Sequence, residues 1–175
     1  MTQKPARTKK RSHAKQFAEI ERISILGAVS RIGPVGLWMY ANAYVSAAKT
    51  LPNPEAPFEP VRYYLTCHSI ELGLKAYLSL GGASMLDLSE GAFGHNLGAI
   101  LAAAEAQGLD KFVALSAEQK SEIRSATTYY NGKLFEYPAY GEALRGYPLL
   151  PSLPLLLTAA TTLADSLAKP CREAE

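Results

Sequence analysis

His68, Glu71 and Lys75 recur at intervals of three and four residues inside YLTCHSIELGLKAYL, and a second histidine, His95, lies in the segment GHNL that follows a glycine-containing loop. An imidazole, a carboxylate and an ammonium are groups that accept, hold and donate protons. At 100° per residue, His68, Glu71, Lys75 and Ser79 fall within about 80° of one another on a helix. Leu65, Cys67, Ile70, Leu72, Leu74, Ala76, Tyr77 and Leu78 occupy the rest of its circumference. A helix apolar on most sides belongs in a core. The stripe is then either the one wet face of that helix or a polar pocket in the interior, where its charges must be paired.

Each residue also has a plainer role. Glu71 and Lys75 form an i, i+4 pair in the favourable order, which is worth only about 0.3 kcal/mol when exposed. His68, one turn before Glu71, reads first as a structural histidine and second as a base. His95, at a helix start, suits a structural hydrogen bond or an electrophile. Mid-helix Gly73 costs up to about 1 kcal/mol relative to alanine, which close approach of a neighbouring helix would explain. Between Tyr129 and Tyr147 lie six of the 16 aromatic residues, interleaved with Lys133 and Arg145. Such faces beside cations can stack bases, or they can simply pack a long loop over the core.

These residues need helices to position them. Ala14 to Ser30 reads as a helix bearing Phe17, Ile20, Ile23 and Leu26, stopped by Gly33-Pro34, and a second helix runs from about Val35 to Lys49. The segment LPNPEAPFEP, residues 51–60, is a stiff connector. A third helix, about Val61 to Leu80, ends at Gly81-Gly82. A fourth runs from about His95 to Gln107. A fifth starts at the capping box Ser116-Ala117-Glu118-Gln119 and reaches about Tyr130. Residues 131–151 read as an ordered aromatic loop, and a last helix begins at Leu153 or Pro154. No segment alternates as a strand does. The expected fold is all-α, an antiparallel up-and-down bundle of four to five helices.

A chain of 175 residues, 48% apolar and 19% charged, suits one soluble globular domain, here residues 16–170. Lys4, Arg7, Lys9, Lys10, Arg11 and Lys15 put +6 on residues 1–15, so the remainder carries −4 and the basic character belongs to the arm. That arm reads as disordered, either as a solvated tail or as a sequence-blind phosphate contact. A signal peptide is disfavoured because Glu19, Glu21, Arg22 and Arg31 interrupt any apolar run, and no stretch approaches the roughly 20 apolar residues that span a bilayer. Two cysteines, Cys67 and Cys171, suggest neither a disulfide framework nor a zinc site. The expectation is a cytoplasmic protein without metal or cofactor.

The apolar helix with HSIELGLKAYL, the GHNL helix start and the later SATTYYNGKLFEYP together resemble the HEPN superfamily of bacterial helical bundles, over roughly residues 35–168. That resemblance implies a four-helix core, a homodimer and membership of toxin–antitoxin, defence or stress systems. Many members are metal-independent RNases; others bind RNA, nucleotides or partner proteins without catalysis. Active members carry an arginine followed four to six residues later by a histidine in a late helix. Here Arg124 occupies the expected helix, but Thr128, Tyr129, Tyr130 and Asn131 follow it where the histidine should be. Arg62 and His68 have the spacing in the wrong helix, and six residues put them about 120° apart.

Three functions follow. The first is a non-catalytic binding and dimerisation module that engages RNA, a nucleotide or a partner protein through a polar groove, with Lys75, Arg62, Tyr129, Tyr130, Lys133 and Tyr137 as binding residues. The second is an endoribonuclease rebuilt from His68, His95, Glu71 and Arg124 or Arg62. The third is a purely structural interaction protein.

Overall fold

The computed structural model describes residues 33–52, 58–89, 93–137, 141, 147 and 149–174. The basic arm and the helix expected over Ala14 to Ser30 lie outside the described residues, as do residues 53–57 of the connector and 138–140, 142–146 and 148 of the aromatic loop. Six α-helices and no strand occur among the described residues. They are α1 (Pro34–Thr50), α2 (Pro60–Leu80), α3 (Met85–Ser89), α4 (Leu97–Ala106), α5 (Ala117–Asn131) and α6 (Leu153–Glu173), with a single 3-10 turn at Leu109–Lys111. The all-α expectation holds, four of the six helices lie within two residues of where periodicity and breakers put them, and α6 begins at the expected Leu153. The short α3 was not anticipated. Its signal is present in Ser84-x-x-Asp87, where the serine hydroxyl donates to the Asp87 carboxylate at 2.6 Å and accepts the Asp87 amide at 3.2 Å.

Local chemistry sets the boundaries. Pro34 and Pro60 open α1 and α2, where a missing amide hydrogen costs nothing. Gly81 ends α2, and Gly82 follows with φ +95°, a conformation glycine adopts without Cβ strain. The box at α5 is reciprocal: Gln119 N donates to Ser116 Oγ at 3.2 Å and Ser116 N donates to Gln119 Oε1 at 2.8 Å. At α4 the cap is Asn96, whose side chain accepts from Ala99 N, so His95 sits one residue before the cap.

Helix α2 is the core of the molecule. Tyr63, Cys67, Ile70, Leu74, Ala76, Tyr77 and Leu78 are all buried on it, against α1, α4, α5 and α6. Ser69 Oγ donates to the Ala41 carbonyl of α1 at 2.7 Å, and Tyr77 Oη to the Gln107 carbonyl that closes α4 at 3.0 Å. The neighbour expected beside Gly73 is α6: a Cβ on that glycine would stand 3.4 Å from Leu163 Cβ. Trp38 Nε1 donates to the Ala164 carbonyl at 2.7 Å, pinning α1 to α6, while Gly98 N donates to Thr127 Oγ1 at 2.9 Å, pinning α4 to α5. Wrapping α2 this closely buries the middle of its polar stripe, Glu71 and Lys75.

Candidate functional site

The stripe resolves into a hub at Glu71. This carboxylate is buried, with only 2% of the residue exposed. Its Oε1 accepts from Lys75 Nζ at 2.6 Å, one turn along α2. Its Oε2 accepts from Tyr130 Oη of α5 at 2.6 Å and from His95 Nδ1 at 3.0 Å. His68 Nδ1 stands 3.6 Å from the same oxygen and 2.6 Å from Tyr130 Oη. Of the two readings open at the stripe, the buried pocket with paired charges is therefore the one that holds for Glu71 and Lys75.

Three elements meet at the hub for reasons written in their sequences. Helical spacing puts His68, Glu71 and Lys75 on one face of α2. Tyr130 is in the last turn of α5 and buried there, with its ring edge-on to His95 at a centroid distance of 5.7 Å. His95 arrives on the chain leading into α4, where Gly94 takes φ +34° and offers its carbonyl to Lys75 Nζ at 2.7 Å. Lys75 thus performs two tasks, neutralising Glu71 and fastening the segment that carries His95. The His68 ring is held between Tyr64, nearly parallel at 5.6 Å, and Tyr44 of α1, edge-on at 4.5 Å.

Burial alone would raise the Glu71 carboxyl, but the His68 imidazole 3.6 Å away and hydrogen bonds from His95, Lys75 and Tyr130 outweigh it and hold the group at about 2. The partner phenol moves the other way. Burial, and then the Glu71 charge, push Tyr130 well above its ordinary value, so it remains a hydrogen-bond donor. Burial likewise raises Cys67 and takes Cys171 to about 11, which keeps both thiols protonated and unreactive at neutral pH. The hub is closed on its Lys75 side and open on its imidazole side: the His95 side chain is 56% exposed and that of His68 19%.

Three of the four residues named as catalytic candidates, His68, Glu71 and His95, come together. Arg124 does not join them. It lies on the exposed face of α5 and donates to Glu105 at 2.7 Å, beside Lys120, which bridges Asp110 at 2.6 Å and Glu105 at 3.2 Å. Arg124 and Tyr130 are six residues apart on one helix, so when the tyrosine faces inward the arginine points about 120° away. Among the binding candidates, Lys75 and Tyr130 are in the hub. Arg62 is not: it pairs with Glu59 at 2.8 Å and donates to the carbonyls of Leu51 and Pro52 at 2.7 and 2.8 Å, which makes it a clasp at the start of α2. Tyr129 is buried against Phe135, whereas Lys133 and Tyr137 are exposed on the turn after α5. Tyr44 and Tyr64, which flank His68, were absent from the candidates, although Tyr64 lies one turn before it.

Among the described residues, no group of three histidine, cysteine or acidic side chains is arranged to hold a metal ion. No helix among them is long and apolar enough to cross a membrane. Comparison with protein-family models, curated proteins and solved structures returns no match.

Proposed function

We propose that this protein is a non-catalytic, HEPN-like binding and dimerisation module of a bacterial toxin–antitoxin, defence or stress system, engaging RNA or a nucleotide at the surface around Glu71. The observation that carries this reading is the division of labour at the hub. The exposed His95 imidazole and the part-buried His68 imidazole, the latter flanked by the half-buried rings of Tyr44 and Tyr64, stand beside a buried carboxylate, while two cations that could grip a transferring phosphate are committed elsewhere. Lys75 is spent on Glu71 and the Gly94 carbonyl, and Arg124 is paired with Glu105. Recognition needs the first set; phosphoryl chemistry needs the second as well. The reading includes an antiparallel bundle, a homodimer and a cytoplasmic location.

The test is retardation and integrity of single-stranded and structured RNA with purified protein in EDTA. RNA should be retarded and remain intact, and His68→Ala and His95→Ala should weaken retardation while preserving the fold. RNA that migrates as it does without protein would defeat the reading. Sedimentation should give twice the chain mass at micromolar concentration, and a monomer would remove the dimer.

A second reading, a metal-independent endoribonuclease with a rearranged site, is favoured by one feature. A carboxylate bonded to Nδ1 of His95 is the arrangement that orients an imidazole as a general base. Cleavage in EDTA abolished by His95→Ala would promote it. A partner protein docking on the same surface is the third outcome, with the hub then acting as a structural pin.

A further inference from the structure

The proton count at Tyr130 determines more than its own orientation. One phenolic hydrogen stands between two contacts of 2.6 Å, to Glu71 Oε2 and to His68 Nδ1. Glu71 accepts from Lys75, Tyr130 and His95 and has no hydrogen to offer as an ionised carboxylate. Two oxygens at 2.6 Å with no hydrogen between them would repel, so the Tyr130 hydroxyl donates to Glu71. His68 Nδ1 must then carry a hydrogen and donate it to the phenolic oxygen. The same logic applies to His95, whose Nδ1 faces an oxygen that can only accept.

A neutral imidazole with its hydrogen on Nδ1 carries a lone pair on Nε2. Among the described residues neither Nε2 has a hydrogen-bond partner, and the only buried side-chain nitrogen or oxygen there without one is Arg62 Nε. The Nε2 atoms are therefore not sealed in the core. Both tautomers are fixed by one buried carboxylate, directly for His95 and through Tyr130 for His68.

We infer that the hub presents two outward hydrogen-bond acceptors, His68 Nε2 and His95 Nε2, and that the group it takes is a ribose hydroxyl rather than a phosphate. A lone pair repels a phosphate oxygen and welcomes a donor, and the 2′-hydroxyl is the donor that distinguishes RNA from DNA. Tyr130 is the positioning residue, because it alone gives His68 Nδ1 an acceptor at hydrogen-bond distance. The ligand half of this inference rests on the RNA or nucleotide reading above; the tautomer half does not.

Two measurements on the full chain separate these halves. Side-chain 15N spectra in mildly alkaline buffer, where ordinary imidazole is neutral, should show His68 and His95 both protonated at Nδ1. Tyr130→Phe should move His68 toward the Nε2-protonated form and leave His95 unchanged. An Nε2 hydrogen on either histidine of the wild-type protein overturns the assignment whatever the protein binds. Fluorescence anisotropy in EDTA should then show a uridine-only RNA bound about tenfold more tightly than its 2′-deoxy counterpart, the loss expected for one hydrogen bond. Both probes carry the same base, so the contrast reads the sugar. His68→Ala or His95→Ala should bring the two affinities together. Equal affinities in the wild-type protein overturn the ribose assignment while leaving nucleic-acid binding in place. Binding of neither probe overturns it together with the reading under it.

Discussion

Glu71 and Glu105 are both helical glutamates that face more than one cationic or donor side chain, and they differ in almost every physical respect. Glu71 is sealed in the core and accepts from Lys75, Tyr130 and His95, drawn from α2, α5 and the approach to α4. Glu105 lies on the rim, where Lys120 and Arg124 of α5 reach it and where Arg124 is 49% exposed. In water each partner of Glu105 can be replaced by solvent, so its ion pairs contribute little. At Glu71 no solvent stands ready, and each donor lost leaves a charge or a polar atom buried without a partner. The number of ion pairs is similar in the two places; burial decides which of them the fold depends on.

The largest expected effect follows from that contrast. Glu71→Leu removes the acceptor of three donors and leaves the Lys75 ammonium buried and unpaired, which should cost about 3–5 kcal/mol in chemical denaturation. Adding Lys75→Met to it should cost less than the two single changes together, because the second substitution removes the orphaned charge. Additive losses would mean that Glu71 and Lys75 are independent and that the hub is not a unit.

Acid should break the same comparison almost as strongly. The folded Glu71 carboxyl titrates at about 2 against 4.5 for the free group, so the native state binds its proton less readily than the unfolded chain does. The resulting stability is fully present above the unfolded value and is lost as pH falls from about 4.5 towards about 2, amounting to roughly 3 kcal/mol. Denaturation midpoints across that interval should therefore fall more steeply for the wild-type protein than for Glu71→Gln. Parallel profiles would place the acid sensitivity at other carboxylates.

Much of this was legible in the sequence, and the parts that were not share a physical reason. The stripe of His68, Glu71 and Lys75 could be read because helical period places it on one face of an otherwise apolar helix; whether that face is wet or buried could not, because it depends on what packs over it. The meeting of Glu71 with His95, 24 residues on, depends on how the chain turns back between α2 and α4, and no local periodicity encodes that path. Arg124 lies in the helix expected for it but points away from the hub to Glu105, a separation from Tyr130 that the wheel of α5 already contains. Leu72 shows the same limit in the core: it is apolar like Leu74, yet only Leu74 is fully buried.

Tyr130→Phe sharpens the comparison from within the hub. The phenol donates one hydrogen bond to a charged acceptor and accepts one from His68, and deleting its oxygen leaves Glu71 with Lys75 and His95. A loss of about 1.5–3 kcal/mol is expected from thermal or chemical unfolding, smaller than for Glu71→Leu because no buried charge is left unpaired. A loss as large as that of Glu71→Leu would make Tyr130, not the carboxylate, the organising group.

The smallest effect should come from the rim. Arg124→Ala deletes a half-exposed partner of Glu105 while Lys120 remains 3.2 Å from that carboxylate, so the charge it leaves behind is still compensated and still wet. Its stability cost should stay within about 0.2–1 kcal/mol and shrink further as salt is raised. Because the guanidinium is paired with Glu105 and points away from Tyr130, the same substitution should leave RNA retardation unchanged, whereas His95→Ala weakens it. An Arg124→Ala protein that folds normally but no longer retards RNA would put the phosphate contact on the exposed face of α5, and the functional surface would then have to include the rim as well as the hub.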